Sequence, residues 1–106
     1  MTTFDKRKNE AEARFTRDQE LQFKATARRN KLLGLWAAEL LGLGGDDAAA
    51  YAKEVVIADF DRPGDDDVLE KVLKDLTAAG VEITNHKVRK EMDRLMDDAR
   101  AQVMAE

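Results

Sequence analysis

The chain has 106 residues, a net charge of −4, one proline and no cysteine. That is room for one small domain, built without disulfides or thiolate metal sites. With 38% charged and only 6% aromatic residues, composition favours helix over sheet. The sequence pI of about 5.1 argues against a surface built as a whole for nucleic acid.

The N-terminus, Met1-Thr2-Thr3-Phe4-Asp5-Lys6, lacks the apolar core of a secretory signal. Residues 1–20 hold five acids, five bases and few apolar groups. Such a segment buries too little surface to offset its ordering entropy, so alone it should be frayed or disordered. It is still compatible with helix. Glu10–Arg14 and Arg14–Asp18 are i,i+4 pairs of opposite sign, and Phe4, Ala11 and Phe15 fall in one narrow helical stripe. This is the profile of a segment that folds when a groove accepts its apolar face.

The first strong helical pattern spans about 20–42, with Leu32, Leu33, Trp36, Ala37, Leu40 and Leu41 on its apolar side. It stops at Gly42-Leu43-Gly44-Gly45, where glycine relieves left-handed strain. The dense apolar stretch from Leu32 to Leu43 contains Glu39 and falls short of the roughly 20 residues needed to span a membrane. A second helix over 46–61 is capped by Asp46 or Asp47 and shows Tyr51, Ala52, Val55, Val56 and Phe60 on one face. Pro63-Gly64 ends it.

The third helix, 65–79, opens on Asp65-Asp66-Asp67, where negative charge meets the positive end of the helix dipole. Its stripe is Leu69, Val72, Leu73 and Leu76, and Gly80 stops it. Val81-Glu82-Ile83 reads as a connector. Thr84 caps a fourth helix, 84–104, that buries Val88, Met92, Leu95, Met96, Ala99 and Val103. The fold class is all-α: a four-helix bundle over 20–106 with a mobile N-terminal arm over 1–19. A first helix running from Asp5 to Leu41 would be about 55 Å long, against about 23–30 Å for the others. Those three cannot cover such a rod.

Charge is unevenly placed. Residues 21–38 carry Lys24, Arg28, Arg29 and Lys31 with no acid, whereas residues 46–75 hold ten acids against four bases. Pairing inside the bundle is the expected fate of the basic run; an anionic partner is the alternative. Lys24, Arg28 and Lys31 share a helical face, as phosphate contacts would. A catalytic site is harder to assemble. There is no serine, the one histidine is His86 in a helix first turn, and Gly44-Gly45 lacks phosphate-loop spacing. The Asp triplet has neither the spaced ligands nor the distal Glu of a calcium loop.

The block Phe23-Lys24-Ala25-Thr26-Ala27-Arg28-Arg29-Asn30-Lys31-Leu32-Leu33-Gly34-Leu35-Trp36-Ala37-Ala38-Glu39-Leu40-Leu41-Gly42 resembles the zeta-subunit family of alpha-proteobacterial F-type ATP synthases. The opening Met1-Thr2-Thr3-Phe4-Asp5 is similar to that family's start, as are Tyr51 to Val56, Ala58-Asp59-Phe60 and the Asp-rich turn before Val68. The likeness covers nearly the whole chain and is loosest after Gly80.

The resemblance implies an inhibitor of ATP hydrolysis. Its N-terminal arm becomes helical in a catalytic alpha/beta interface beside gamma and acts as a pawl. On this chain the implied arm is residues 1–19. By side-chain chemistry, Phe4, Ala11 and Phe15 are its candidate apolar anchors, and Lys6, Arg7, Lys8, Arg14 and Arg17 its candidate partners for acidic groups. The family is also linked to nucleotide binding, so ATP or ADP is a candidate regulatory ligand. Arg28, Arg29 and Lys31 are candidate phosphate contacts, although no motif selects them.

No cofactor is required, no metal site is expected, and neither nucleic acid nor direct membrane insertion enters the expected role. The protein is expected to be a cytoplasmic monomer when free, and peripheral on the inner-membrane ATP synthase when bound. Two alternatives stand beside inhibition: a non-inhibitory ATPase-binding or assembly module, and a nucleotide-sensing helical domain.

Overall fold

The computed structural model describes the backbone of residues 3–61 and 64–106, and the side chains of residues 18–59 and 64–106. Four helices follow in chain order: α1 (Thr3–Leu40), α2 (Gly45–Asp61), α3 (Asp65–Ala78) and α4 (Asn85–Ala105). Among the described residues there is no strand. The all-α four-helix class read from the sequence holds, with boundaries shifted by a residue or two at most ends. Helical backbone continues from the bundle part of α1 back to Thr3, the conformation expected of the arm when a groove receives it.

α1 is the spine. It packs along both α2 and α4, while α3 closes the bundle against α2, α4 and α1. The molecule measures 65 × 25 × 23 Å, and a 38-residue helix accounts for most of the long dimension at about 1.5 Å per residue. α4 reaches its end beside the middle of α1, where Val103 and Met104 line a groove with Leu21 and Ala25.

Two helices stop by the same device. Gly42 (φ 79°) and Gly80 (φ 84°) take left-handed conformations. The N–H of Gly42 donates to Glu39 O and that of Leu43 to Ala38 O; likewise Gly80 donates to Thr77 O and Val81 to Leu76 O. These paired bonds satisfy carbonyls the helix ends would otherwise leave open. At the start of α4, Thr84 caps as expected, its Oγ1 accepting from Lys87 N at 3.1 Å. The expected cap of α2 needs correction. α2 begins at Gly45, Asp46 and Asp47 lie within its first turn, and the Gly44 carbonyl accepts the first N–H groups. The two acids act on the helix dipole instead of capping.

The core joins Leu33, Ala37 and Ala38 of α1 to Tyr51, Val55, Val68, Leu69, Val72, Leu76, Val88, Met92 and Leu95. On α3, Val68 is fully buried and Leu73 only partly. On α1 the buried stripe is rotated from the expected one. Ala25, Arg29, Asn30, Leu33, Ala37 and Ala38 are buried, while Leu32, Trp36 and Leu41 only flank the core and Leu40 is 43% exposed. A helix wedged between two others must turn its smallest residues to the closest contact, which leaves its largest ones at the margins.

Gly34 marks that contact. A Cβ built there would lie 2.5 Å from Ala52 Cα and 3.1 Å from Ala52 Cβ, so only glycine admits α2 this close. Overpacking of this kind costs about 1–3 kcal/mol. The helix-propensity gain of Gly→Ala recovers up to about 1 kcal/mol. Gly34→Ala should therefore lower the thermal midpoint by roughly 4–8 °C, the shift expected for about 1 kcal/mol in a domain this size. A midpoint at or above that of the native chain would show that the helices separate freely.

Candidate functional site

The basic run of α1 sorts into two kinds of charge. Arg29 is 2% exposed, and its Nη2 donates to Asp65 Oδ1 at 2.7 Å. Its Nε donates to Asn30 Oδ1 at 2.9 Å. A charge so enclosed needs partners, because unpaired burial costs several kcal/mol. Arg28 turns the other way, donating to Gln102 Oε1 at 2.9 Å and pairing with Glu106. It ties the end of α4 to the spine. Lys24 and Lys31 are exposed and enter no ion pair among the described residues.

The Asp triplet diverges instead of converging on an ion. Asp65 takes Arg29, and Asp66 accepts from Arg89 Nη2 at 2.6 Å. The hydrogen bond from Arg29 holds the Asp65 carboxyl below its ordinary value, against a smaller opposing effect of partial burial. A second polar knot joins α2 to α3. Tyr51 Oη donates to Asp75 Oδ2 at 2.9 Å, and Lys71 Nζ donates to the same oxygen at 3.0 Å. Lys71 Nζ also sits 5.4 Å from the Tyr51 ring centre. Burial first, and then the bond to Asp75, push the Tyr51 hydroxyl above its ordinary range.

Candidate surface features remain among the described residues. One apolar groove lies between α1 and the end of α4, lined by Leu21, Gln22, Ala25, Arg100, Val103 and Met104. A second opens beside the connector before α4, among Trp36, Leu40, Val81, Glu82, Ile83, Thr84 and Lys87. A third runs between α1 and α2, with Lys31, Leu35, Ala49, Ala52, Lys53 and Val56 around it. Among the described residues no group of three or more acidic or histidine side chains is placed to hold a metal. No described helix is long and apolar enough to cross a membrane.

Of the site residues read from the sequence, Arg28, Arg29 and Lys31 are not brought together on one open surface. Arg29 faces the core and Asp65, Arg28 faces α4, and Lys31 lines the α1–α2 groove. Phe4, Lys6, Arg7, Lys8, Ala11, Arg14, Phe15 and Arg17 lie outside the residues whose side chains are described. The α1–α2 groove itself was missed in the sequence. Its signal was Gly34 opposite the small Ala52.

A family model for the ATPase inhibitor subunit zeta matches residues 1–102. The chain belongs to that family. Its fold is also similar to a solution NMR structure of a protein 53% identical to it, at a TM-score of 0.71. That match covers 80% of this chain and 96% of the other. Among curated proteins, none matches. Membership implies a regulatory role in which the protein binds an ATPase.

The Arg29–Asp65 pair generates a test. Asp65→Asn leaves a buried guanidinium without its counter-charge. Because the Asp65 side chain is 53% exposed, the cost should be about 1–3 kcal/mol, below that of breaking a fully buried pair. A carboxyl held below its ordinary 3.8 contributes stability that is fully present above that value. The contribution is lost as pH falls through the lower folded value. Thermal melts should therefore show native protein well above Asp65→Asn at pH 7, with the gap closing on acidification below pH 3.8. A gap that stays constant with pH would remove the ion pair from the account.

Proposed function

We propose that this chain is a regulatory inhibitor of the F-type ATP synthase. It inserts residues 1–19 as a helix at a catalytic alpha/beta interface beside gamma and so blocks ATP hydrolysis, while residues 20–106 carry the arm. Family membership supports inhibition. The observation that supports the mechanism is the path of α1: its helical backbone runs from Thr3 into the part whose Leu21 and Ala25 face Val103 and Met104 of α4. One helix thus spans the bundle and the segment proposed to act.

A rotor is stopped by filling space in a moving interface, so binding energy replaces bond chemistry and no cofactor is needed. Phe4, Ala11 and Phe15 are the apolar anchors, and such anchors dominate interface energy. Lys6, Arg7, Lys8, Arg14 and Arg17 meet acidic groups of the ATPase and tune association and specificity. The protein acts from the cytoplasm as a monomer on a membrane-bound complex, without entering the bilayer itself.

The test is a titration into the cognate solubilised ATPase, following hydrolysis, of the full chain and a chain lacking residues 1–19. Circular dichroism should verify that both are helical. Inhibition by the full chain alone is the expected outcome. Phe15→Ala should weaken it by more than about ten-fold, the cost of losing one well-buried anchor, and Lys87→Ala on α4 should leave it unchanged. Equal curves for these two variants would refute the anchor assignment. Binding by both lengths with normal hydrolysis would make the chain an assembly module instead.

A further inference from the structure

The groove between α1 and α2 is left unused by an arm-only mechanism. It has a volume of 290 Å³ and is walled by Leu35, Ala49, Ala52 and Val56. It lies beside the close approach of Gly34 to Ala52, and its apolar lining combines the small Ala49 and Ala52 with the larger Leu35 and Val56. Leu35 is 37% exposed, and Ile57, one turn along α2 from Lys53, is 46% exposed. The polar side chains lining it are Lys31 and Lys53, neither of which enters an ion pair among the described residues. Lys24 extends the same charge along α1 toward the arm, on the face it shares with Lys31.

We propose that this groove is a second docking site for the ATPase, taking an acidic amphipathic helix of the partner. The inference rests on the inhibitor reading above. An apolar side chain of leucine size from that helix fills the space between Leu35 and Val56, and carboxylates on the turns beside it meet Lys31 and Lys53. The chemistry selects this occupant. A helix in a groove is read by apolar anchors at helical spacing, and unpaired lysines at the rim favour an acidic flank. A phosphate group would find two solvated ammonium groups and no buried donor.

The site also makes sense of the body. Two contacts joined by one stiff helix act as linked binding events, and linkage raises overall affinity well beyond that of the arm alone. The groove then holds the inhibitor on the complex while the arm enters and leaves the rotating interface.

The experiment uses the full chain and the cognate ATPase, with affinity measured by immobilised-ligand kinetics and inhibition by ATP hydrolysis. Four proteins are compared: native, Lys31→Glu with Lys53→Glu, Leu35→Ala, and Lys74→Glu with Lys90→Glu as an equal charge change on α3 and α4. Thermal melts by circular dichroism check that all are folded. The groove double variant should raise Kd at least ten-fold, mostly through faster dissociation, and Leu35→Ala should raise it several-fold. The α3–α4 control should stay within two-fold of native.

If native protein inhibits and the groove variants match the control, the groove proposal falls and the arm mechanism stands. If native protein neither binds nor inhibits, both fall. Sedimentation of the free chain provides the remaining check. A dimer that the groove variants dissolve would give the groove to a second copy and overturn the assignment to the ATPase.

Discussion

One helix runs through both the bundle and the segment proposed to act, and the packing around it depends on how closely α2 can lie against it. Gly34 sets that distance, with no room for a methyl group before Ala52 Cα. Once α2 is seated there, Val55 and Tyr51 reach the core beside Leu33, Ala37 and Ala38. α3 can then close over both. α4 takes the other side of α1, so the spine is covered on two flanks and presents one open face along Lys24, Lys31 and Leu35. A larger residue at position 34 would push α2 outward and loosen each of these contacts in turn.

Polar side chains then fix which helix end meets which. Arg29 is buried against Asp65 at the start of α3, Arg28 holds Glu106 at the end of α4, and Tyr51 with Lys71 ties α2 to α3 through Asp75. These links add modest stability each, since most are half-exposed. Their value is in register. The aliphatic core would tolerate a helix sliding by a turn, whereas a buried guanidinium has one carboxylate within reach. Asn30 deepens the constraint: its Oδ1 serves Arg29, while its Nδ2 is buried without a partner among the described residues.

Most of the helical framework was legible because glycine and threonine punctuate it. Gly42, Gly80 and Thr84 stand where helix ends demand them, and the four apolar periods between are unambiguous. The orientation of α1 was less so. Hydropathy favours Leu32, Trp36 and Leu40, but the contact with α2 favours Gly34 and Ala38, and close packing outweighs side-chain size. Pairing of the basic run inside the bundle was expected, but which base would be buried was not legible, because Arg28 and Lys31 beside Arg29 carry the same charge. The carboxylate partner of Arg29 is 36 residues away, and no local pattern reports a pair at that separation. The α1–α2 groove was hidden for the same reason: small residues signal a close approach only when the opposing helix is known.

The shared helix also bears on how an arm of balanced charge could act at all. Starting a helix is unfavourable by roughly a factor of a thousand, while extending one is nearly neutral for good helix formers. A detached peptide of the arm's length would meet that barrier each time it bound. Residues ahead of Leu21 would not, because the bundle already holds the next turns of α1 in place against the end of α4. Glu10–Arg14 and Arg14–Asp18 lie at the spacing that favours such growth. On this argument the bundle is more than a carrier. In the proposed mechanism it would also supply the nucleus from which the arm's helix grows, and loosening α1 near Gly34 would weaken the arm without touching any residue in it.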